Sequence, residues 1–100
     1  MITKVTINGK KADVEVGGRL STDEAAGFLK EIDPLMQEKY EEITMDLAEL
    51  DFISSAGIRC FVMLYKACAS KGTKLTLKNL TPQIKDIFTL TALLDKFNIE

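Results

Sequence analysis

Apolar and polar positions alternate from the start of the chain. Val5 and Ile7 fall on one face with Lys4 and Thr6 on the other, and beyond Asn8-Gly9 the residues Ala12, Val14 and Val16 alternate with Asp13 and Glu15. A period of two marks a half-buried strand, and Asn-Gly between two such runs marks a tight hairpin turn. The pattern predicts an antiparallel hairpin ended by Gly17-Gly18. The period then changes. Ser21-Thr22-Asp23-Glu24 reads as a capping box, and Phe28, Leu29, Ile32, Leu35 and Met36 follow at helical spacing. Pro34 falls inside this helix, where it should kink it or start a new turn capped by Asp33. The helix should fade near Lys39.

Ile43, Met45 and Leu47 alternate with Thr44 and Asp46 as a third strand, and a loop is expected from Glu49 to Ser54. From Ala56 to Ala69 nearly every residue is apolar, with Arg59 and Lys66 as the interruptions, so this should be the most buried helix; Lys71-Gly72 ends it. Leu75 and Leu77 form a fourth strand among Lys74, Thr76 and Lys78. Thr81-Pro82 opens a last helix faced by Ile84, Ile87 and Phe88, and Leu93, Leu94, Phe97 and Ile99 pack the tail. The order is strand, strand, helix, strand, helix, strand, helix. Right-handed crossovers should lay the later strands parallel. Thr6, Asp13, Glu15, Thr44, Asp46 and Thr76 would share one sheet face, leaving the helices mainly on the other. The expectation is therefore an α/β domain: a small mixed β-sheet, an N-terminal antiparallel hairpin plus parallel strands, with helices packed mainly on one face. Residues 1–100 read as a single domain, without repeat or linker.

Composition narrows what such a domain can do. The net charge is −2, with 7% aromatic residues and no Trp. A weakly acidic chain is a poor binder of phosphate backbones and offers few stacking platforms for bases, so no nucleic-acid partner is expected. Acidic residues concentrate between Glu38 and Asp51, either as a solvated connection or as a rim offered to a basic partner. No run approaches the roughly 20 apolar residues of a membrane helix, and the N-terminus lacks a leader pattern, so the cytoplasm is the expected location and no membrane insertion is expected. Cys60 and Cys68 would lie about 12 Å apart along one helix, too far for a disulfide, and read as core residues. The chain has no histidine. That removes the usual activator of Ser and Cys nucleophiles and the commonest metal ligand. No metal, no cofactor and no enzymatic activity are expected.

The most informative stretch runs from Asp46 through Phe52-Ile53-Ser54-Ser55-Ala56-Gly57-Ile58. A strand ends, an acidic loop follows, and two serines precede the apolar helix. Capping alone accounts for one serine, at about 1 kcal/mol. Gly57 fits capping less well, since glycine in a first turn weakens a helix. It does permit close approach of another surface to the backbone.

This stretch resembles the centre of the STAS family, in particular bacterial anti-sigma factor antagonists. Gly18-Arg19-Leu20-Ser21-Thr22 is similar to the family's segment after the second strand, and Leu90-Thr91-Ala92-Leu93-Leu94 with Phe97 is similar to its C-terminal segment. The resemblance implies a small mixed sheet with helices mostly on one side. It also implies a mechanism of partner switching. The unphosphorylated domain would bind a serine-kinase anti-sigma factor, the kinase would phosphorylate a serine at the start of the central helix, and a PP2C-type phosphatase would reverse the step. The acceptor maps to Ser55, with Ser54 as its rival. Two positions depart from sporulation-type members, which carry Asp where this chain has Ser54 and often Asp where it has Ser21. The expected footprint of the partner comprises Arg19, Ser21, Asp46, Asp51, Ser54, Ser55, Gly57 and Arg59. An alternative role for the same fold is a non-phosphorylated adaptor subunit of a transporter or other complex.

Overall fold

In the computed structural model, which describes residues 2–100, the strands are β1 (Ile2–Asn8), β2 (Lys11–Leu20), β3 (Glu42–Asp46), β4 (Leu50–Ile53), β5 (Lys74–Lys78) and β6 (Asn98–Ile99). The helices are α1 (Thr22–Gln37), α2 (Ser55–Lys71) and α3 (Pro82–Leu90), with a 3-10 turn at Leu94–Lys96. β1 and β2 form the antiparallel hairpin, with Val5 opposite Val14. β2, β3, β5 and β6 then run parallel, in the order β1-β2-β3-β5-β6.

The register carries the face assignment. Thr6 pairs with Asp13, Asp13 with Thr44, Thr44 with Thr76, and Glu15 with Asp46. Paired residues point the same way, so these polar side chains share one face as the alternation implied. The other face, built from Ala12, Val14, Val16, Ile43, Met45, Leu47, Leu75 and Leu77, is buried. The helices cover it. Phe28 of α1 lies 5.5 Å from Phe61 of α2, Phe61 lies 5.6 Å from Phe88 of α3, and Phe88 lies 5.8 Å from Phe97. These four rings join the helical layer to the C-terminal segment at the centroid distances favoured by aromatic pairs. Thr76 is buried on the open face, where its hydroxyl donates to Glu42 and accepts from Asn98.

Four details differ from the reading of the sequence. β2 does not stop at Gly17-Gly18 but runs through them to Leu20. Gly18 takes φ +90°, a conformation open to glycine, and the register shifts between Gly18 and Arg19. Beyond that bulge β2 exchanges one partner for another. Its first half pairs with β3, and its end pairs in parallel with β4, which lies in the stretch expected to be loop. β4 has four residues, too few to set up a visible alternation. α1 passes through Pro34 unbroken and ends at Gln37. Pro34 lies in the last turn, where it removes one intrahelical donor, that to the carbonyl of Lys30, an exposed residue. β6 adds two residues of parallel pairing, Thr76 to Asn98 and Leu77 to Ile99, to the apolar tail.

Candidate functional site

The start of α2 is placed by β2 and β4 together. The amide of Ser54 donates to the carbonyl of Leu20 at 2.8 Å, so the end of β2 fixes where the helix begins. Ser54 is the N-cap. Its backbone is extended, its Oγ accepts from the Gly57 amide at 3.1 Å, and its carbonyl accepts from the Ile58 amide at 2.9 Å. One of the orphan donors of the first turn is thereby satisfied. Ser55 follows as the first helical residue. It is exposed, and its side chain makes no hydrogen bond among the described residues. The two serines therefore differ sharply: one hydroxyl is committed to the fold, and the other stands free at the positive end of a helix of 17 residues.

Gly57 lies under these serines and is buried. A Cβ there would sit 2.7 Å from Leu20 Cγ, 2.9 Å from Leu20 Cδ2 and 3.0 Å from Ile53 Cγ1. The surface that approaches its backbone is thus the chain's own, the ends of β2 and β4. Gly57 is a packing residue beneath the site and not a part of the exposed footprint.

Leu20 and Ile53 face α2, so their neighbours Arg19 and Phe52 lie on the opposite side of the β2–β4 ribbon. There the Arg19 guanidinium stacks over the Phe52 ring, 4.5 Å from its centroid. Such a stack holds a cation in a defined place at an exposed site. Asp51, beside it on β4, is exposed. Ser21 starts α1, but the expected capping box does not form: its side chain makes no cap bond, and the Glu24 amide donates to the Ser21 carbonyl at 3.1 Å instead. Its hydroxyl is left half-buried and without a structural task at the helix start. Asp46 is used locally. Its carboxylate accepts from the Ala48 amide at 3.0 Å and from the Asn79 side chain at 3.1 Å, tying the end of β3 to the end of β5 on the helix-free face. Arg59 is exposed on the second turn of α2, four residues after Ser55 and on the same side of the helix.

The structure therefore gathers Ser54, Ser55 and Arg59 on one helix, joins Ser21 to them through Leu20, and sets Arg19 and Asp51 on the adjoining ribbon. Asp46 belongs to a neighbouring turn. Phe52, Leu20 and Ile53 stood in the sequence motifs without an assigned role: Phe52 seats Arg19, and Leu20 with Ile53 require a glycine at position 57; Asn79, whose φ of +59° lets it reach Asp46, was not singled out at all. Only Asn79 carried a usable signal, since asparagine tolerates the left-handed region just after a strand.

The chemistry available here is that of a surface. Cys60, one turn into the core, donates to the carbonyls of Ala56 at 3.4 Å and Ala25 at 3.6 Å, and burial pushes its thiol pKa up, so it remains a protonated packing group. No cluster of three metal-ligating side chains occurs among the described residues. No helix among them is long and apolar enough to cross a membrane.

A small mixed sheet with one covered face, and a serine-capped helix rising from a shared strand end, define a class of small α/β domain. The family model described as STAS domain matches residues 3–100, and the chain belongs to that family. A relative from Bordetella bronchiseptica, named "Putative anti-sigma factor antagonist BtrV", is 32% identical over 57 residues. That match covers 57% of this chain and 49% of BtrV, so it spans about half the length of the relative. Among solved structures, an anti-sigma factor antagonist from Mycobacterium paratuberculosis superposes with a TM-score of 0.86 at 18% identity, over 98% of this chain and 83% of that one. The anti-sigma factor antagonist SpoIIAA in its unphosphorylated form gives 0.84 at 14% identity, over 99% and 88%. SpoIIAA of Bacillus in its phosphorylated form gives 0.78 at 14%, over 99% and 91%. At these identities the likeness is one of fold.

Proposed function

We propose that this chain is an anti-sigma factor antagonist that works as a phosphorylation-controlled binding switch. The unphosphorylated form binds a serine-kinase anti-sigma factor, phosphate on Ser55 releases it, and a PP2C-type phosphatase resets it. One observation carries the choice of residue: Ser55 is exposed and unbonded at the first position of α2, while the Ser54 hydroxyl is spent on the Gly57 amide. The names of BtrV and of the solved relatives support the class of partner. SpoIIAA has been solved with and without phosphate, and both forms share this fold, which supports a switch that changes the surface and spares the core.

The physics of the position agrees. A helix N-terminus has unpaired N–H groups and a partial positive charge, so it accepts an added phosphate without unfolding. A partner seated over the same spot must desolvate or repel about two new negative charges. A penalty of about 3–4 kcal/mol corresponds to several hundred-fold weaker binding. Arg19, Ser21, Asp51, Ser54 and Arg59 make up the rest of the footprint, Arg19 from the far side of the β2–β4 ribbon, with Gly57 packed below and Asp46 shaping the adjacent turn. Calorimetry of the unmodified and the Ser55-phosphorylated chain against the serine-kinase anti-sigma factor of the same cell tests the reading. The expected result is tight binding of the first and several hundred-fold weaker binding of the second. Equal affinities would overturn it.

A further inference from the structure

One turn below Ser55 the outer surface of the helical layer opens into a groove of about 150 Å³ between α1 and α2. Its walls are Ala25, Ala26 and Leu29 on α1 and Ala56 and Met63 on α2, with Arg59 at the rim. The two helices run side by side in the same direction. Cys60 bonds the Ala25 carbonyl near their starts, and the Lys71 ammonium bonds the Met36 carbonyl near their ends. Alanines along the upper half leave a trough that no side chain of the protein fills. Met63, 42% exposed, stands over it as one of the few large apolar side chains in the open.

Charge around the groove has the opposite sign to the chain. The protein carries −2 overall, yet the outward side of α2 reads Ser55, Arg59, Met63 and Lys66, spaced four, four and three residues apart along one helix face. Arg59 and Lys66 are exposed, and the ion pair found among the described residues, Lys74 with Glu42, involves neither. The one acid on the facing side of α1, Asp33, lies a turn beyond Leu29 and accepts from the Gln37 side chain (Nε2) at 3.4 Å. An apolar trough with one uncommitted cation, Arg59, at its rim and a second, Lys66, three residues beyond Met63 on the same helix selects a helix with an apolar stripe and carboxylates beside it.

We propose that this groove docks one helix of the protein partner, apolar along the face that enters between Ala26 and Met63 and acidic along the edge that meets Arg59 and Lys66. The identity of the partner rests on the function proposed above; the groove and the chemistry it selects do not. Ser55 and Arg59 are neighbours on the helix surface. A phosphate on Ser55 would take the Arg59 guanidinium for itself and repel the incoming carboxylates. The switch would thus act on the groove without entering it.

Two helix-stabilised synthetic peptides test this, alike in a leucine stripe and differing only in glutamate or lysine flanks. Each is titrated into the isotope-labelled full chain while amide chemical shifts are followed. The glutamate peptide should shift Ala26, Leu29, Ala56 and Met63, weaken with added salt, and bind roughly tenfold or more weakly to Met63→Asp. It should also bind more weakly to the Ser55-phosphorylated chain. Equal binding of the lysine peptide, shifts centred elsewhere, or no shifts at all would overturn the proposal; a thermal melt of Met63→Asp separates lost docking from lost folding. The wild-type and Met63→Asp chains are then mixed with the serine-kinase anti-sigma factor. Equal kinase binding by both overturns the groove as the partner's dock. Binding of the glutamate peptide by a chain that ignores the kinase overturns the partner and keeps the groove.

Discussion

Two glycines, both inside helices, make a matched pair whose responses to alanine should have opposite signs. At Gly57 a new methyl would lie 2.7 and 2.9 Å from two atoms of Leu20 and 3.0 Å from Ile53. Leu20 is fully buried and Ile53 nearly so, so neither can swing away into solvent. Overpacking of this kind costs about 1–3 kcal/mol, and contacts this short belong in the upper half of that range. Removing a helical glycine returns at most about 1 kcal/mol, leaving a net loss of about 1–2 kcal/mol. At about 4–8 °C per kcal/mol for a domain of this size, the Tm of Gly57→Ala should fall by about 5–15 °C. At Gly27, in α1, a Cβ would meet nothing within 4 Å. Only the propensity term remains, so Gly27→Ala should gain about 1 kcal/mol and raise the Tm by about 4–8 °C. Thermal and urea melts followed by circular dichroism read both variants. A Gly57→Ala chain as stable as the wild type would refute the packing argument, and with it the claim that position 57 serves the interior rather than the partner.

Further predictions follow from the same geometry. Ser54→Ala removes the cap of α2 and should cost about 1 kcal/mol in urea melts, whereas Ser55→Asp puts a favourable charge at the helix start and should leave the melt nearly unchanged; a large loss for Ser55→Asp would make that residue structural. Arg59→Ala should weaken kinase binding while changing stability by no more than about 0.5 kcal/mol, and Lys74→Ala and Lys78→Ala, on the helix-free face, should leave binding unchanged; equal binding losses at Lys74 and Arg59 would put the interface on the wrong surface. Burial pushes the Cys68 thiol up to about 11, well above the ordinary thiol range, so at intermediate pH the folded chain keeps a proton that the unfolded chain releases. That contribution to stability is whole below pH 9 and is lost as the pH rises toward about 11; Cys68→Ala should flatten the fall of the urea midpoint over that window, and an unchanged slope would contradict the assignment.

The fold was legible where a face is buried on one side only. The hairpin, β3, β5, α2 and the cap at Thr81, whose Oγ accepts from the Ile84 amide, all follow from period and punctuation. β4 was hidden because Leu50-Asp51-Phe52-Ile53 is short and its pairing partner is the far end of β2, beyond two glycines that look like a terminus. Gly18 permits a bulge there, and a bulge continues a strand where a turn would end it. The capping box failed for a different reason. Ser21 follows directly on β2, and the chain enters α1 with the Ser21 carbonyl, not its hydroxyl, taking the Glu24 amide. At the site, the order of the two serines was readable from the family pattern, but the division of labour between them was not. That depends on which hydroxyl reaches the Gly57 amide, a matter of where β2 and β4 set the first turn. The seating of Arg19 on Phe52 is likewise a product of β2–β4 pairing, which local sequence does not encode.

The central claim is that Ser55 is the residue that throws the switch, and phosphate mapping tests it most directly. The purified chain is incubated with ATP and the serine-kinase anti-sigma factor of its own cell, and the modified residue is located by fragment mass spectrometry in the wild type, Ser54→Ala and Ser55→Ala. One phosphate is expected, on Ser55, in the wild type and in Ser54→Ala, and none in Ser55→Ala. Phosphate on Ser54 in the wild type, or undiminished labelling of Ser55→Ala, would contradict it.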